Sequence, residues 1–172
     1  YLGNITLWLS LFFSLLQFLI SCKKINLKNY LDINVAANGL FICSLISFFS
    51  LIYSHTISDF SVLNVYQNSH STKPLIYKIS GTWGSHEGSM LLWILVLSIF
   101  NHFIYKLYQK KNSTFVLKTL ETQALITFGF VFFTIATSNP FQKIKDVPND
   151  GLGFNPILQD PALIIHPPLL YI

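Results

Sequence analysis

Residues 81–93 contain the densest group of side chains that could take part in chemistry. They read Gly-Thr-Trp-Gly-Ser-His-Glu-Gly-Ser-Met-Leu-Leu-Trp, so that His86 and Glu87 lie between Trp83 and Trp93. If the segment is one helix, these four side chains share a face. A His–Glu pair at a membrane surface usually has partners and often marks a functional site. The pattern fits two structures: the wall of a site for a flat ligand or a partner, or an aromatic belt beside a capped helix start.

A second candidate is His166, which is followed by Pro167 and Pro168. Proline fixes φ and restricts the residue before it, so this imidazole sits on a stiff backbone. That suits an axial ligand to haem iron, for which histidine nitrogen is the usual protein donor. A histidine that only hydrogen-bonds a loop carbonyl fits the same sequence. Upstream, Asp160 before a proline is typical of an N-cap, which predicts a short helical turn over 161–165 that the proline pair ends.

The other histidines and the cysteines indicate no further site. His102 lies in an apolar stretch, and we interpret it as a packing or interfacial residue. His55 and His70 lie in predicted loops, where we expect them to be solvated. Cys22 and Cys43 form no CxxC motif and are predicted to be small packing residues. The sequence contains no zinc-ligand spacing, nucleophile elbow or phosphate-binding glycine loop, so no catalytic residue is assigned.

The composition indicates that these residues belong to a membrane protein. Of the 172 residues, 52% are hydrophobic and only 10% are charged, whereas soluble domains carry about 25% charged residues. The mean hydropathy is +0.51. The net charge of +4 is small and no basic run is interleaved with aromatics, so nucleic-acid binding has no support.

Four apolar stretches are long enough to cross a bilayer as helices. They are predicted at residues 5–22, 35–54, 89–108 and 122–138, and a fifth helix is expected to start near 169. None has Asp, Glu or Lys at its centre, which argues against an ion- or proton-translocating subunit. The sequence therefore predicts an all-α integral membrane protein. We expect a single membrane domain over 1–172, a polytopic bundle with at least four transmembrane helices and Pro/Gly-rich outer loops.

The distribution of lysine predicts the orientation of the helices. Three lysines fall within 23–28 and four within 106–118, whereas the longer 55–87 loop has only two. Short basic loops favour the inner side of a membrane. We therefore expect the N-terminus and both motif-bearing segments on the outer side.

All 11 basic residues are Lys, and Phe, Ile, Asn and Tyr are abundant. This bias is typical of A/T-rich genomes and favours the mitochondrial inner membrane, with a bacterial plasma membrane as the alternative.

The outer segments carry weaker local patterns. Alternation over 59–66 predicts a short extended piece, and residues 74–82 are expected to lie at the interface before the third long helix. The segment 139–171 is dense in Pro and Gly, as in an irregular loop. Because the chain begins with Tyr1 and stops at Ile172 within an apolar stretch, we expect a fragment, a split-gene product or an incomplete chain.

The motifs together resemble the CcmF family, the membrane haem lyases of cytochrome c maturation. The sequence Trp-Gly-Ser-His-Glu-Gly-Ser over 83–89 is similar to the Trp-Gly-x-His-Glu-Gly-Ser signature of that family, and a Leu-Leu-Trp follows in both. Further family blocks are similar to residues 138–141, 150–151, 155–161 and 166–171. The resemblance extends over nearly the whole chain, from Gly3 onward.

This resemblance implies a function. The chain would be a subunit of a haem lyase, of the cytochrome c synthase type, that helps transfer haem from a haem chaperone to the CxxCH thiols of apocytochrome c. His166 would be an axial ligand of the haem iron. The supporting motif residues would be Trp83, His86, Glu87, Trp93, Asp160, Pro167 and Pro168. Haem would be a transient substrate, and the complete complex could also hold a bound haem b.

The resemblance also implies that the chain does not work alone. The tryptophan-rich haem-binding segment and the other haem-ligating histidines of the family are expected beyond Ile172. The expected partners are therefore the remaining CcmF-type subunit, the haem chaperone, apocytochrome c and membrane lipid. The alternative is a structural or assembly subunit of a respiratory membrane complex, derived from the lyase scaffold.

Overall fold

The computed structural model describes residues 1–22, 30–108, 114–153 and 161–171. Within these ranges the chain is helical and contains no strand apart from an isolated antiparallel bridge between Val62 and Lys143. This confirms the predicted all-α fold. The described helices are α1 (Leu2–Ser21), α2 (Tyr30–Thr56), α3 (Leu63–Asn68), α4 (Leu75–Gly84), α5 (His86–Tyr108), α6 (Thr114–Thr137) and α7 (Pro161–Leu170).

Four of these helices are long and apolar enough to cross a membrane. The candidate spans are Leu2–Ser21, Ile33–Thr56, His86–Leu107 and Thr114–Thr137. Each overlaps one predicted stretch, although α6 begins well before the predicted residue 122. The first turns of α6 carry Lys118 and Glu121, which hydropathy alone excludes from a span. In the structure they form an exposed ion pair of 2.6 Å at i, i+3 spacing, which is compatible with the helix.

The four long helices form a bundle in which α1 packs against α2 and α6, and α5 packs against the same two helices. Its core has two hydrophobic clusters. One surrounds Leu7, Leu51 and Leu91, and the other surrounds Ala37 and Leu120. The first cluster lies beneath α3, α4 and residues 138–153, and we call this part of the molecule the loop end. Both candidate motifs are positioned there.

Polar contacts also join the long helices inside the bundle. Gln17 of α1 and Asn101 of α5 are fully buried, and their amides bond reciprocally at 2.7 and 2.8 Å. The Gln17 amide also donates to the Leu120 carbonyl of α6 at 3.3 Å. A hydrocarbon environment offers no water to replace these partners, so the pair fixes the relative position of three helices.

Replacing Gln17 with leucine should therefore destabilise the bundle more than replacing both amides. The single change Gln17→Leu leaves the Asn101 amide buried without a partner, at a cost of about 1–2 kcal/mol in the free energy of unfolding. The double change Gln17→Leu/Asn101→Leu removes both polar groups and should recover part of that loss. Unfolding of the purified protein in increasing SDS would measure both, and equal losses would contradict the pairing.

The loop end differs from two of the sequence predictions. The extended piece predicted over 59–66 is wrong, because residues 60 and 61 lie in turns and the chain enters α3 at Leu63, which buries Asn64 and Val65. Only Val62 makes a β-bridge, to Lys143. Two backbone hydrogen bonds hold this segment against the 139–144 turn, from Leu63 N to the Gln142 carbonyl at 2.8 Å and from Ile144 N to the Ser61 carbonyl at 3.0 Å.

The second difference concerns α7. The turn predicted over 161–165 continues as a helix to Leu170, with Pro167 and Pro168 inside it. Residues 169 and 170, where a fifth helix was expected to start, are the last turn of α7. Asp160, the predicted N-cap, lies outside the described residues.

Candidate functional site

The motif over 83–89 forms a corner between two helices. The single helical face expected through Trp83, His86, Glu87 and Trp93 is wrong, because α4 ends at Gly84 and Ser85 has an extended backbone (φ −97°, ψ 158°) before α5 begins. The Ser85 hydroxyl accepts a hydrogen bond from the Gly88 amide at 3.0 Å, as an N-cap does. The capped helix start considered for this motif is therefore present.

The serines and glycines of the motif allow the two helices to approach closely. A Cβ placed on Gly88 would overlap the Thr82 carbonyl oxygen, which lies on α4. Across the same corner, the Ser89 hydroxyl donates to the Trp83 carbonyl at 2.6 Å. The small residues of the motif are therefore explained by the tight corner, and the larger side chains are positioned by it.

A buried polar network joins this corner to α2 and α3. His55 is fully buried, and its Nε2 lies 3.0 Å from the Asn64 amide oxygen. The Asn64 amide nitrogen then donates to the Ser85 hydroxyl at 2.7 Å and to the Glu87 carboxylate at 3.2 Å. Since the Asn64 oxygen accepts, the His55 Nε2 is the donor. Glu87 therefore holds α3 against the corner.

The expectation that His55 is solvated is wrong. The histidine ends α2, and the short helices α3 and α4 fold over it, with Gly81 of α4 near its ring. No local pattern in the sequence indicates this burial. A small cavity of about 40 Å³, lined in part by Asn64, Gln67 and Glu87, lies beside the network, and a polar space of this size holds a water molecule.

Trp83 connects the corner to α7. Its indole Nε1 donates to the Ile164 carbonyl at 2.9 Å, and its ring stacks on Phe48 of α2 with centroids 6.5 Å apart. In an α-helix the Ile164 carbonyl would accept from the amide of residue 168. Residue 168 is proline and has no N–H. The tryptophan therefore supplies the donor that Pro168 lacks.

A second tryptophan contacts the other end of α7. The Trp93 ring packs edge-on against Tyr171 at 5.2 Å between centroids, while its indole N–H has no hydrogen-bond partner within the described ranges. His166 lies between these two points of attachment and is exposed. Its side chain is therefore presented at the surface of a helix that two motif tryptophans hold in place.

The candidate residues do not all converge. Trp83 and Trp93 meet α7, whereas His86 is exposed at the start of α5 and Glu87 faces α3. Across the described parts of the chain, no group of three or more His, Cys, Asp or Glu could hold a metal ion. His166 is therefore not part of a metal-binding cluster among the described residues, and its role as an iron ligand stays a prediction. His102 stacks on Phe41 at 4.8 Å, consistent with its predicted packing role.

Two loop segments of the loop end are joined at Asp150. Its carboxylate accepts from the Ser71 amide at 2.9 Å and hydroxyl at 2.5 Å, and His70 lies 3.4 Å away. The hydrogen bonds from Ser71, followed by that from the Gly151 amide, lower the pKa of Asp150 to about 2. This contact therefore favours the folded state above the ordinary pKa of 3.8 and is lost as the pH falls towards 2. The His70 side chain, predicted to be solvated, is 40% exposed and has Asp150 as a partner.

Partial burial affects one loop lysine. Burial lowers the pKa of Lys73 to about 8. The Lys73 ammonium also donates a hydrogen bond to the Asn68 carbonyl at 3.0 Å. The basic charge of this loop therefore decreases above neutral pH.

Comparison with known proteins assigns the fold and the motifs to one class. The family model described as cytochrome C assembly protein matches residues 83–172, the part of the chain that contains the corner, α5, α6 and α7. This chain belongs to the cytochrome c assembly protein family.

The relatives narrow the class to CcmF-type proteins, as the resemblance implied. The chain is 42% identical to the cytochrome c-type biogenesis protein CycK of Rhizobium meliloti, over 99% of this chain and 26% of that protein. It is 40% identical to CcmF of Haemophilus influenzae, over 99% of this chain and 27% of that protein. A solved structure described as cytochrome c heme lyase CcmF has the same fold, with a TM-score of 0.79 at 22% identity, over 99% of this chain and 27% of that one. The chain thus spans about a quarter of the length of these relatives and fits their N-terminal portion.

Proposed function

We propose that this chain is the subunit of a membrane haem lyase that presents His166 as an axial ligand to haem during its transfer from a haem chaperone to the CxxCH thiols of apocytochrome c. The observation that carries this proposal is the exposure of His166 on a helix fixed by Trp83 and Trp93. The side chain is free to meet a ligand, while its backbone is held by residues of the family motif.

The proposal requires a second polypeptide segment. Thioether formation needs the haem vinyl groups and the cysteine thiols held together in a reactive geometry, and one ligand on a surface helix cannot provide that. We infer that the remaining CcmF-type subunit, with its tryptophan-rich segment, completes the site. Haem is then a transient substrate of the complex, a bound haem b would be held largely by the other subunit, and this chain is not a self-sufficient enzyme.

We further infer that the loop end faces the outer side of its membrane. The support is the excess of lysine in the two short connections between α1 and α2 and between α5 and α6. Composition favours the mitochondrial inner membrane, whereas the relatives named above are bacterial and favour the plasma membrane. Either location places His166 where a cytochrome c precursor is matured.

The test compares His166→Ala with His70→Ala in the purified native complex. His166 is exposed and the His70 side chain is 40% exposed, but only His166 belongs to the proposed site. We expect His166→Ala to lower the haem that the chaperone delivers to the complex, measured by pyridine haemochrome above any resident haem b, at least about tenfold, since loss of even an outer-shell partner of a metal ligand costs that much, and to shift the reduced visible spectrum of the delivered haem. His70→Ala should change neither. If both variants retain haem and mature cytochrome c normally, the chain is a structural subunit that has kept the lyase scaffold.

A further inference from the structure

A cavity of about 520 Å³ opens at the loop end. It lies between α1, α2 and the turn at 139–143. Its walls are mainly apolar and include Leu2, Phe49 and Phe141. Two charged side chains, Asp59 and Lys143, line the part of the cavity formed by the loops. The cavity is therefore apolar along the helices and charged where the helices end.

The apolar part lies along two candidate membrane spans, α1 and α2. Phe49 and Tyr53 line the cavity from the span Ile33–Thr56, and they are 56% and 64% exposed. Leu2 of α1 is exposed to a similar extent. An acyl chain can therefore enter sideways from the bilayer. A water-filled pocket at this position would leave these apolar surfaces unfavourably hydrated.

The two charges are close but do not neutralise each other. The Ser61 hydroxyl donates to the Asp59 carboxylate at 2.6 Å, and the Lys143 ammonium lies 3.4 Å from the same hydroxyl. Lys143 also lies over the Tyr1 ring, 4.7 Å from its centroid. Among the described residues the ion pairs are those of His70 with Asp150 and Lys118 with Glu121. Asp59 and Lys143 thus present opposite charges on either side of Ser61.

We propose that this cavity binds one molecule of phosphatidylethanolamine. The acyl chain lies along α1 and α2 against Phe49, the phosphate meets the Lys143 ammonium, and the lipid ammonium donates to the Asp59 carboxylate. The amine headgroup matches both charges in one molecule. Phosphatidylcholine has no N–H to donate to Asp59, and phosphatidylglycerol has no cation for it. This inference is independent of the proposed function, since it involves neither His166 nor α7.

The test is lipid binding to the purified, delipidated complex, measured by native mass spectrometry with phosphatidylethanolamine, phosphatidylcholine and phosphatidylglycerol of matched chains. We expect phosphatidylethanolamine to bind most tightly. Lys143→Glu should weaken its binding about tenfold, the size of one charge-assisted hydrogen bond. Asp59→Asn should remove most of the preference over phosphatidylcholine.

Two matched controls lie in the same loop. Lys145 and Asp146 are exposed and do not line the cavity, so Lys145→Glu and Asp146→Asn should leave binding unchanged. Equal binding of the three lipids to the unsubstituted complex would overturn the proposal. Equal weakening by Lys143→Glu and Lys145→Glu would do the same, because it would indicate a general charge effect. Absence of any bound lipid would also overturn the proposal.

Discussion

Replacing Gly88 with alanine is expected to disrupt the corner between α4 and α5. The added methyl would overlap the Thr82 carbonyl oxygen, and a backbone atom cannot move aside as a flexible side chain can. The two helices must separate, which also lengthens the bond from the Gly88 amide to Ser85. We expect a loss of about 3 kcal/mol in the free energy of unfolding, measured by SDS or thermal unfolding of the purified complex, with a lower yield in membranes.

The matched control is Gly129→Ala on α6. A Cβ at Gly129 would meet nothing within 4 Å, and alanine has the higher helix propensity, so this substitution should be neutral or stabilise by up to about 1 kcal/mol. The same substitution should thus lower the free energy of unfolding at position 88 and leave it unchanged or raise it at position 129. If Gly88→Ala unfolds at the same SDS concentration or temperature as the unsubstituted protein, the corner is looser than described.

Trp83→Phe is expected to release α7 while leaving the bundle intact. Phenylalanine keeps the ring that stacks on Phe48 but removes the N–H that reaches the Ile164 carbonyl. A carbonyl left without a donor costs about 1 kcal/mol at such a partly buried position, which shifts the docked population of α7 about fivefold. Hydrogen–deuterium exchange of residues 161–171 in the native complex should therefore accelerate, and haem retention should fall with it.

Two further variants make this result specific. Trp93→Phe should leave exchange unchanged, because the Trp93 indole N–H has no partner in the described structure and its ring contact with Tyr171 survives. Pro168→Ala supplies a backbone N–H for the Ile164 carbonyl, so the double variant Trp83→Phe/Pro168→Ala should recover part of the lost protection. Equal exchange in Trp83→Phe and Trp93→Phe would contradict the role assigned to the indole.

The sequence predicts the membrane helices well because a candidate span is recognised from its length and its apolar composition alone. The predicted start of α6 was late because hydropathy treats Lys118 and Glu121 as helix-ending, whereas an i, i+3 ion pair at a helix end is compatible with both helix and membrane interface. The family motifs likewise locate Trp83 and His166 without any structure.

What the sequence could not predict depends on contacts between distant segments. The burial of His55 requires α3 and α4 to fold across the end of α2, and nothing near residue 55 indicates this. The continuation of α7 through two prolines requires an indole donor 81 residues away. One local signal does indicate the corner. Ser85 is a residue type favoured at N-caps, which argues against one continuous helix through 83–93.

The proline pair in α7 has a consequence for the order of assembly. A helix whose own backbone lacks two donors is a poor helix in isolation, and α7 gains a replacement for one of them from a tryptophan on another element. Its folding is therefore coupled to the prior folding of the α4–α5 corner. Before the bundle has formed, residue 166 lies on a segment that is not yet helical, so the haem binding proposed for His166 would begin only after the chain has folded.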